Sequence, residues 1–341
     1  MIKSMKKLRQ MNKKKKIIIT ISIILVVGLL SGLFLLYGPY AGFRNFWITT
    51  AMTTKSHQYL ATWLYSEKTI NEVLDNNRVI APDEDVDIDL IKILDEKSDN
   101  VVYKDEYDKQ VLEHDDGEVY KYFKVEGYNF DAYMAVIYDP SKVSVSYSSR
   151  LGYDGEYLVD MAKRKQAIVA INGGGFVDIN GESNGGNAAG VVISEGKIIQ
   201  GGYASSGLIG FTNDNKMYLG YISATEAINK GIRDAVEFGP FLIVNGKKAD
   251  IRGNGGYGIH PRAAIGQRQD GVVLFLVIDG RRTDSMGASI KDEMEIMAKY
   301  GAINAANLDG GNSAVLVIND KIVNIIKSNK EDEWIDIVNC R

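Results

Sequence analysis

Three polar side chains stand where apolar segments of this 341-residue chain end, and a glycine follows each of them directly. Asn172, Asp279 and Asp309 close the segments AIN, VID and NLD. Carboxylates serve in proteins as nucleophiles and general bases, and amides orient the oxygens of a ligand. If the three segments are neighbouring strands, their ends form one polar site.

Asn-Gly and Asp-Gly are also favoured in β-hairpin turns, so each position has a purely structural alternative. The alternative is strong for Asp309, because strand-like residues resume at Ala314. It is weaker for Asp279, which leads into a helix, and weaker again for Asn172, whose loop of about fifteen residues exceeds the usual hairpin length. Together the three ends favour a shared site.

Three consecutive glycines, Gly173 to Gly175, suggest a nucleotide-binding loop. A dinucleotide fingerprint needs a further glycine at position 178, which is Asp178, and a helix directly after it. A P-loop needs a Gly-Lys-Ser/Thr ending, which the sequence lacks, and the spacing of a calcium loop also fails. We therefore expect these glycines to let the backbone approach a different kind of ligand.

The segment GIHPRAAIG places Arg262 directly before a strand of small apolar residues. A guanidinium in this position can project into a cleft and bind phosphate or carboxylate in a bidentate manner. The structural alternatives are an ion pair with a surface acid for Arg262 and a turn position for His260, which precedes a proline.

Short apolar segments separated by Gly, Asn and Asp make up the chain beyond about Glu118. Helices are predicted over 155–166 and from a capping box, Ser289 with Asp292, to residue 301. Because strands and helices do not alternate regularly, the pattern indicates an α+β domain, with a strand-rich mixed β-sheet and a few flanking helices. The predicted strands are 120–125, 133–136, 143–147, 167–171, 191–193, 197–199, 241–244, 263–266, 272–278, 302–308, 314–318 and 322–326.

The N-terminal end differs from this domain. Residues 1–16 contain eight Lys or Arg and no acidic residue, and residues 17–37 carry no charge. An apolar helix of this length crosses a bilayer, and the residues after it fit a signal-peptidase site poorly. The sequence therefore predicts a cytoplasmic basic tail at 1–16, an uncleaved signal anchor at 17–37 and a single-pass cell-membrane protein whose C-terminal domain is extracytoplasmic.

Residues 38–118 connect the predicted span to the strand-rich domain at 119–341. A juxtamembrane helix is predicted over 43–77 and a charged connector over 81–118. Beyond the span, 44 acidic residues outnumber 32 basic ones, and this net charge of −12 argues against nucleic acid as a partner. The single cysteine excludes an intrachain disulfide, and three histidines supply no His-rich metal site.

In this order and at these intervals, the motifs INGGGF, HPRAAIG, VIDGRR and NLDGGNSA resemble those of the phosphodiester glycosidase family, over about residues 120–341. The basic tail, the span and the motif WITTAMTT at 47–54 are similar to bacterial members described as exopolysaccharide biosynthesis proteins. Asn312 departs from the family pattern, in which many relatives have a further glycine. The resemblance implies hydrolysis of the bond between a sugar's anomeric carbon and a phosphodiester oxygen.

That reaction develops positive charge on the sugar ring and negative charge on the departing phosphate. The resemblance therefore implies cations and amides for the phosphate, and a carboxylate that acts on the sugar or on water. The residues expected to be catalytic are Asp309, Asp279, Arg262 and Asn172, with one aspartate as nucleophile or base. Those expected to bind substrate are Gly173, Gly174, Gly175, His260, Arg281, Gly310, Gly311 and Ser313.

Asp178, Glu182 and the two strand-end aspartates are oxygen ligands compatible with calcium or magnesium, although no spacing requires a metal. The leading hypothesis is a membrane-anchored extracytoplasmic hydrolase of sugar-1-phosphodiesters in cell-surface polysaccharide or related glycans. The alternative is a non-catalytic glycan-binding or assembly factor in exopolysaccharide biosynthesis. The presence of both aspartates and Arg262 favours the enzyme, and the sequence leaves the oligomeric state open.

Overall fold

The computed structural model describes residues 12–54, 57–93, 102–177, 185–325 and 337–340. Its helices are α1 Lys13–Tyr37, α2 Ala41–Met52, α3 Tyr59–Thr62, α4 Glu67–Asn76, α5 Glu106–Leu112, α6 Leu158–Lys165, α7 Ala224–Asn229 and α8 Ile290–Lys299, with short 3-10 turns at Ile88–Leu90, Pro140–Lys142 and Gly311–Ser313. Its strands are β1 Val79–Ile80, β2 Tyr120–Glu126, β3 Asp131–Ile137, β4 Val143–Ser146, β5 Val169–Asn172, β6 Val192–Ser194, β7 Lys197–Gln200, β8 Leu208–Thr212, β9 Met217–Gly220, β10 Ile232–Glu237, β11 Phe241–Val244, β12 Lys247–Lys248, β13 Asp250–Ile251, β14 Arg262–Arg268, β15 Val273–Ile278, β16 Ala302–Asn307, β17 Leu316–Ile318, β18 Lys321–Ile322 and β19 Ile337–Cys340.

A seven-stranded antiparallel sheet, in the order β12-β11-β16-β14-β15-β3-β2, forms the centre of the domain. Its register pairs Arg262 at the start of β14 with Ile278 at the end of β15. On the other side of β14, Ala264 pairs with Asn307 at the end of β16. The start of β14 and the ends of both neighbours therefore meet at one edge of the sheet.

Two five-stranded antiparallel sheets pack against one face of this sheet. Their strand orders are β18-β17-β5-β19-β4 and β7-β6-β10-β8-β9, and a separate two-stranded ribbon joins β1 to β13. The helices and antiparallel sheets confirm the predicted α+β, strand-rich class. The largest sheet supplies the edge on which the candidate site is built.

The seven-stranded sheet is buried on both faces. Phe275 of β15 packs in one cluster with Ile171 of β5 and Phe211 of β8. Its neighbour Leu276 points the other way and packs in a second cluster with Met297 of α8. Since side chains alternate along a strand, only a continuous apolar segment such as VLFLVI satisfies both environments. The outer faces of the two smaller sheets are covered by α6 and α7, respectively.

The sheet with the order β7-β6-β10-β8-β9, called the third sheet here, is where the sequence prediction was incomplete. All twelve predicted strands overlap observed ones, although only residue 322 of the predicted strand 322–326 belongs to β18 and residue 326 lies outside the described residues. Strands β8, β9 and β10 and helix α7 were not predicted. Gly210 interrupts the apolar segment of β8, because a Cβ there would meet the Asp234 carbonyl oxygen at 2.7 Å. The capping box of Ser223 and Glu226 could have predicted the start of α7.

The predicted juxtamembrane helix over 43–77 consists of three helices, α2, α3 and α4. Hydroxyl groups of Thr53 and Thr54 bond back to carbonyls of the last turn of α2, and Ser66 caps α4 through its side chain. Such side-chain bonds compete with helix continuation and favour ends and caps. The capping box predicted at Ser289 and Asp292 is confirmed at the start of α8.

Helix α1 is, among the described residues, the one helix that is long and apolar enough to cross a membrane. Its 25 residues span about 37 Å at the usual rise of an α-helix, and none of them is buried. The end of α1 is tied to the next helices, because the Tyr37 hydroxyl donates to the Leu64 carbonyl and the Tyr65 hydroxyl to the Leu36 carbonyl, both at 3.0 Å.

The charged connector packs on the domain. Ile91 is buried in the main core cluster. Asp108 of α5 accepts a hydrogen bond at 2.7 Å from Arg268 of β14, whose guanidinium also contacts Asp270. The predicted boundary between connector and domain at residues 118 and 119 therefore lies within one packed region.

We expect Asp108→Ala to lower the free energy of unfolding by about 3 kcal/mol, the lower end of the range for breaking a buried ion pair, because Asp270 remains. The matched control is Glu113→Ala, which removes an exposed i,i+4 partner of Lys109 and is expected to cost less than about 0.5 kcal/mol. Urea unfolding of the full chain in detergent, followed by circular dichroism, measures both. Equal effects of the two substitutions would show that the connector does not stabilise the domain.

Candidate active site

A cavity of about 790 Å³ opens at the sheet edge where β14 begins and β16 ends. Ligand sites commonly enclose about 300–1,000 Å³, so its size suits a small-molecule group. Its walls come from the segment after α2, from two aromatic side chains, from the residues around the start of β14 and from the loop after β16. The lining residues are Thr53, Thr54, His57, Phe176, Phe238, Tyr257, His260, Arg262, Arg281, Asn307, Asp309, Gly310, Gly311, Asn312 and Ser313.

The structure brings part of the predicted set together. The predicted residues that line the cavity are Asp309, Arg262, His260, Arg281, Gly310, Gly311 and Ser313. Those that lie outside its lining are Asp279, Asn172, Gly173, Gly174 and Gly175. The second group is close by in the fold, and its side chains and backbone contact protein groups.

Arg262 reaches the cavity from the first position of β14 and is almost fully buried. Its Nε donates to the Ala288 carbonyl at 3.1 Å, and its Nη2 donates to the carbonyls of Tyr257 and Gly258 at 2.9 and 2.8 Å. The guanidinium carbon also lies 5.9 Å from the centre of the Tyr257 ring. Backbone dipoles and an aromatic face therefore hold the guanidinium in place.

The charge of Arg262 has no carboxylate within ion-pair distance among the described residues. Burial lowers the pKa of Arg262, but its ordinary pKa is so high that the guanidinium stays charged. The largest influence that opposes this lowering of the pKa is Glu293 of α8, whose two carboxyl oxygens have no hydrogen-bond partner among the described residues. Burial raises the pKa of Glu293 to about 8, so this group is mostly neutral at pH 7. The cavity therefore has a positive wall.

Asp309 is half-buried and lines the same cavity. Its Oδ1 accepts a hydrogen bond from the Gly310 amide at 3.0 Å. Its own amide donates to the Gly173 carbonyl at 3.0 Å, and its carbonyl accepts from the Asn172 side chain at 2.6 Å. The backbone on either side of this carboxylate is thus fixed by the end of β5.

Asn172 is fully buried and uses both ends of its amide on backbone groups. Its Nδ2 donates to the Asp309 carbonyl, and its Oδ1 accepts from the Val315 amide at 3.1 Å. Its side chain therefore joins β5 to the loop after β16. The structure places Asn172 behind Asp309 and outside the cavity lining.

Asp279 is buried among three donors. Its carboxylate accepts hydrogen bonds of 3.1 Å from the Ile325 amide, from Asn324 Nδ2 and from Arg282 Nη1. Burial raises the pKa of Asp279 and outweighs these donors, which lower it. This carboxylate fixes the segment after β18 to the loop after β15, and that loop carries Arg281 to the cavity.

The glycines of INGGGF allow their loop to pack closely against other parts of the protein. A Cβ on Gly174 would lie 3.0 Å from the Glu237 carbonyl oxygen, and one on Gly175 would lie 3.3 Å from the Phe238 ring. The loop after β5 thus packs closely on the end of β10. The amides of Gly310 and Gly311, which were expected to bind phosphate, donate to Asp309 Oδ1 and to the Pro261 carbonyl.

His260 lines the cavity together with Arg262 and Arg281. Burial lowers its pKa to about 4, with further contributions from Arg262 and Arg281, so the imidazole is neutral at pH 7. Its Nε2 lies 3.1 Å from Thr53 Oγ1. Arg281 donates from Nη1 to Asn312 Oδ1 at 2.5 Å, which gives the residue that departs from the family pattern a direct contact in the cavity.

Sequence reasoning missed the wall formed by Thr53, Thr54 and His57, and also the aromatic side chains of Phe176 and Phe238. The threonine-rich motif WITTAMTT was the available signal, but no local pattern shows which distant segment it contacts. Among the described residues, no three His, Cys, Asp or Glu side chains cluster as metal ligands. Asp178 and Glu182 lie outside the described residues, so the expectation for calcium or magnesium stays a prediction.

Comparisons with known proteins place these features in a family. A model of the family described as phosphodiester glycosidase matches residues 165–336, from the end of α6 to beyond β18. The SPbeta prophage-derived uncharacterized protein YomE of Bacillus subtilis is 32% identical over 196 residues, which are 53% of this chain and 29% of that protein. The N-acetylglucosamine-1-phosphodiester alpha-N-acetylglucosaminidases of Bos taurus and Homo sapiens are 26% and 25% identical over 51% of this chain, and the matches cover 35% and 36% of those proteins.

Solved structures agree on the fold. The catalytic domain of zebrafish N-acetylglucosamine-1-phosphodiester alpha-N-acetylglucosaminidase, auto-inhibited by its pro-peptide, superposes with a TM-score of 0.54 at 21% identity, over 67% of this chain and 84% of that one. A hypothetical protein from Synechocystis gives a TM-score of 0.50 at 16% identity, over 65% and 62% of the two chains. The chain spans only about a third of the length of the curated relatives that it matches. On the match of the family model to half of its length, this chain belongs to the phosphodiester glycosidase family.

Proposed function

We propose that this protein hydrolyses the glycosidic bond of sugar-1-phosphodiesters. The observation that carries the proposal is the cavity shared by Arg262, a buried cation without an ion-pair partner among the described residues, and the carboxylate of Asp309. An anionic phosphodiester complements the first group, and the developing positive charge of a sugar ring complements the second. The names of the mammalian relatives specify this class of bond.

In the proposed reaction the oxygen of water bonds to the anomeric carbon of the sugar. The bond from that carbon to the phosphate oxygen breaks, and its electron pair stays on the phosphate. The products are a free sugar and a phosphomonoester, with one water proton on the sugar hydroxyl and the other released through a base. Asp309 is the only acidic side chain among the described lining residues, so we assign it the role of base or nucleophile.

Arg262 and Arg281 are assigned to the phosphate, with Ser313 on the same wall. His260, kept neutral by burial and by the two arginines, is assigned a hydrogen bond to the substrate. We propose that Asn172 and Asp279 position the reacting groups. Asn172 holds the Asp309 backbone, and Asp279 orders the loop that carries Arg281.

We also propose that α1 is a single-pass signal anchor with the N-terminus in the cytoplasm and the domain outside, acting on cell-surface polysaccharide or related glycans. The apolar helix and the basic residues before it support the orientation. An assay with a panel of substrates that differ in the sugar determines which sugar the protein accepts.

The alternative is a non-catalytic glycan-binding or assembly factor for exopolysaccharide. One observation favours it, because two of the four side chains expected to be catalytic, Asn172 and Asp279, are fully engaged outside the cavity. A single carboxylate in the cavity still suffices for base catalysis, and phosphate is a good leaving group. Turnover of a sugar-1-phosphodiester by the full chain decides for the enzyme, and saturable binding without turnover decides for the alternative.

We expect Asp309→Asn to lower kcat by about 10²–10⁴-fold with little change in substrate binding, since it removes a base or nucleophile and keeps the size of the side chain. Asp279→Asn should lower kcat less than Asp309→Asn and should lower the melting temperature. The control is Asp320→Asn, at an exposed turn residue with φ of 63° that asparagine accepts equally well. Sugar release and thermal unfolding are measured on the same preparations, and a greater loss of kcat in Asp279→Asn than in Asp309→Asn would reverse the two roles.

Arg262→Lys should lower kcat/KM by about 10–100-fold, because lysine keeps the charge but loses the planar fork, and a hydrogen bond to a charged group contributes about 1.5–3 kcal/mol. The matched control is Arg252→Lys, at an exposed arginine outside the cavity. Initial rates over a range of substrate concentrations give both parameters. Unchanged kcat/KM in a folded Arg262→Lys protein would remove Arg262 from the phosphate site.

His260 should stay neutral down to about pH 4 in the folded protein. The unfolded imidazole has a pKa near 6.5, so unfolding takes up a proton below that pH. The contribution of His260 to stability is therefore complete above about pH 6.5 and falls as the pH drops towards 4. An NMR titration of the ring resonances, assigned with His260→Gln, measures the midpoint, and a midpoint above about 6 contradicts the buried cationic environment described for this ring.

A further inference from the structure

The motif WITTAMTT lies outside the segment matched by the family model, yet it contacts the candidate site. Thr49 of α2 is fully buried, and its Oγ1 accepts a hydrogen bond from Asn254 at 2.8 Å. One turn further on, Thr53 lies 3.1 Å from His260. Helix α2, which follows the apolar helix α1 after three residues, therefore docks on the wall of the cavity.

The rest of this segment is attached to the domain as well. We call residues 41–54 and 57–77, which contain α2, α3 and α4, the juxtamembrane unit. At its far end Asn77 Oδ1 accepts from the Asn254 amide at 3.0 Å, and β1, directly after the unit, pairs antiparallel with β13. The unit also has its own apolar cluster, which includes Ile48 and Ile70. It is a packed part of the molecule that is fixed to the domain through α2 and through Asn77.

The juxtamembrane unit supplies one side of the cavity directly. Thr53, Thr54 and His57 belong to its lining, together with the loop that carries Asp309. A ligand that fills the cavity therefore contacts the unit and the strand ends together.

The position of this wall limits the distance between the cavity and the end of α1. Helix α2 has 12 residues, which rise about 18 Å, and residues 38–40 add at most about 14 Å when extended. Thr53 therefore lies within roughly 32 Å of Tyr37, the last residue of α1. The contacts of Tyr37 and Tyr65 between α1 and the unit hold the two close together. If α1 crosses a bilayer, the cavity lies near its surface.

The unit also exposes large aromatic side chains. Trp63 is 80% exposed, Tyr59 41% and Phe46 40%, and Tyr40, directly before the unit, is 61% exposed. The rings of Tyr59 and Trp63 lie 4.9 Å apart, so they form one exposed patch. Tryptophan and tyrosine concentrate at membrane interfaces, where the ring is apolar and its polar edge meets water. Their presence directly after an apolar helix favours a lipid surface as the partner of this patch.

We infer that the site takes a sugar-1-phosphodiester whose second phosphate substituent is a membrane lipid. The juxtamembrane unit rests on the bilayer through its aromatic patch and holds the cavity where the headgroup of that lipid can enter. This inference rests on the proposed function and specifies the substrate class for the same site. Hydrolysis leaves the phosphomonoester on the lipid, transfers the oxygen of water to the anomeric carbon and releases the sugar into the aqueous phase.

The test uses the full chain reconstituted in phosphatidylcholine vesicles. Two substrates carry the same sugar-1-phosphate, one esterified to a long-chain polyprenol in the same vesicles and one esterified to a short water-soluble alcohol. We expect the paired substitution Tyr59→Ser with Trp63→Ser to lower the rate on the lipid-carried substrate at least fivefold and to leave the rate on the soluble one unchanged. The control is Tyr128→Ser, an 88% exposed aromatic on the strand-rich domain, which should change neither rate.

The outcomes separate the two proposals. Equal kcat/KM on both substrates, or an equal effect of the paired substitution on both, overturns the lipid inference and leaves the hydrolase in place. Hydrolysis of neither substrate by the wild-type chain, across the panel of sugars, overturns the proposed function itself. Circular dichroism of each variant confirms that it is folded before the rates are compared.

Discussion

The antiparallel pairing of β14 between β15 and β16 is the constraint on which the candidate site depends. It sets the first residue of β14 beside the last residues of both neighbours, so Arg262 and the loop that begins at Asp309 meet at one edge. A shift of β14 by one residue would turn Arg262 to the opposite face of the sheet and exchange the two side-chain faces of that strand. The apolar cores on both faces oppose such a shift.

The energetic cost of the site is concentrated in Arg262. Burying a guanidinium without a charged partner costs free energy, and among the described residues this one is stabilised by three backbone carbonyls and an aromatic ring. Glu293 would neutralise it if ionised, but burial raises the pKa of Glu293 to about 8. The arrangement leaves a positive charge that an anionic ligand can compensate. A positive wall beside a neutral His260 complements an anionic group better than a cation.

The sequence was informative where the candidate site depends on the residue at the end of a strand. Arg262 and Asp309 were found in this way, because an apolar strand places the adjoining side chain at the sheet edge. The same signal also selected Asn172 and Asp279, whose side chains bond to other protein groups outside the cavity lining. Their partners, Val315 and Ile325, lie 143 and 46 residues away along the chain, and no local pattern shows such contacts.

Other features of the structure could not be predicted from the sequence, for related reasons. The third sheet is built from short strands such as LIGFT, in which a glycine required for close backbone packing weakens the strand signal. The wall formed by Thr53 and His57 depends on contacts across more than 200 residues of sequence, such as the one between Thr53 and His260. Such long-range contacts are determined by tertiary packing, and the hydrophobic periodicity within one segment does not indicate them.

The most direct test of the central claim is the fate of the oxygen atom from water. The full chain is incubated with a sugar-1-phosphodiester in ¹⁸O-labelled water, and both products are analysed by mass spectrometry, with ³¹P NMR to identify the phosphomonoester. Attack at the anomeric carbon predicts one ¹⁸O atom in the sugar and none in the phosphomonoester, after correction for the spontaneous exchange of the sugar hydroxyl. Label in the phosphomonoester would show cleavage at phosphorus and would contradict the assignment of Asp309 and Arg262 to glycosidic hydrolysis.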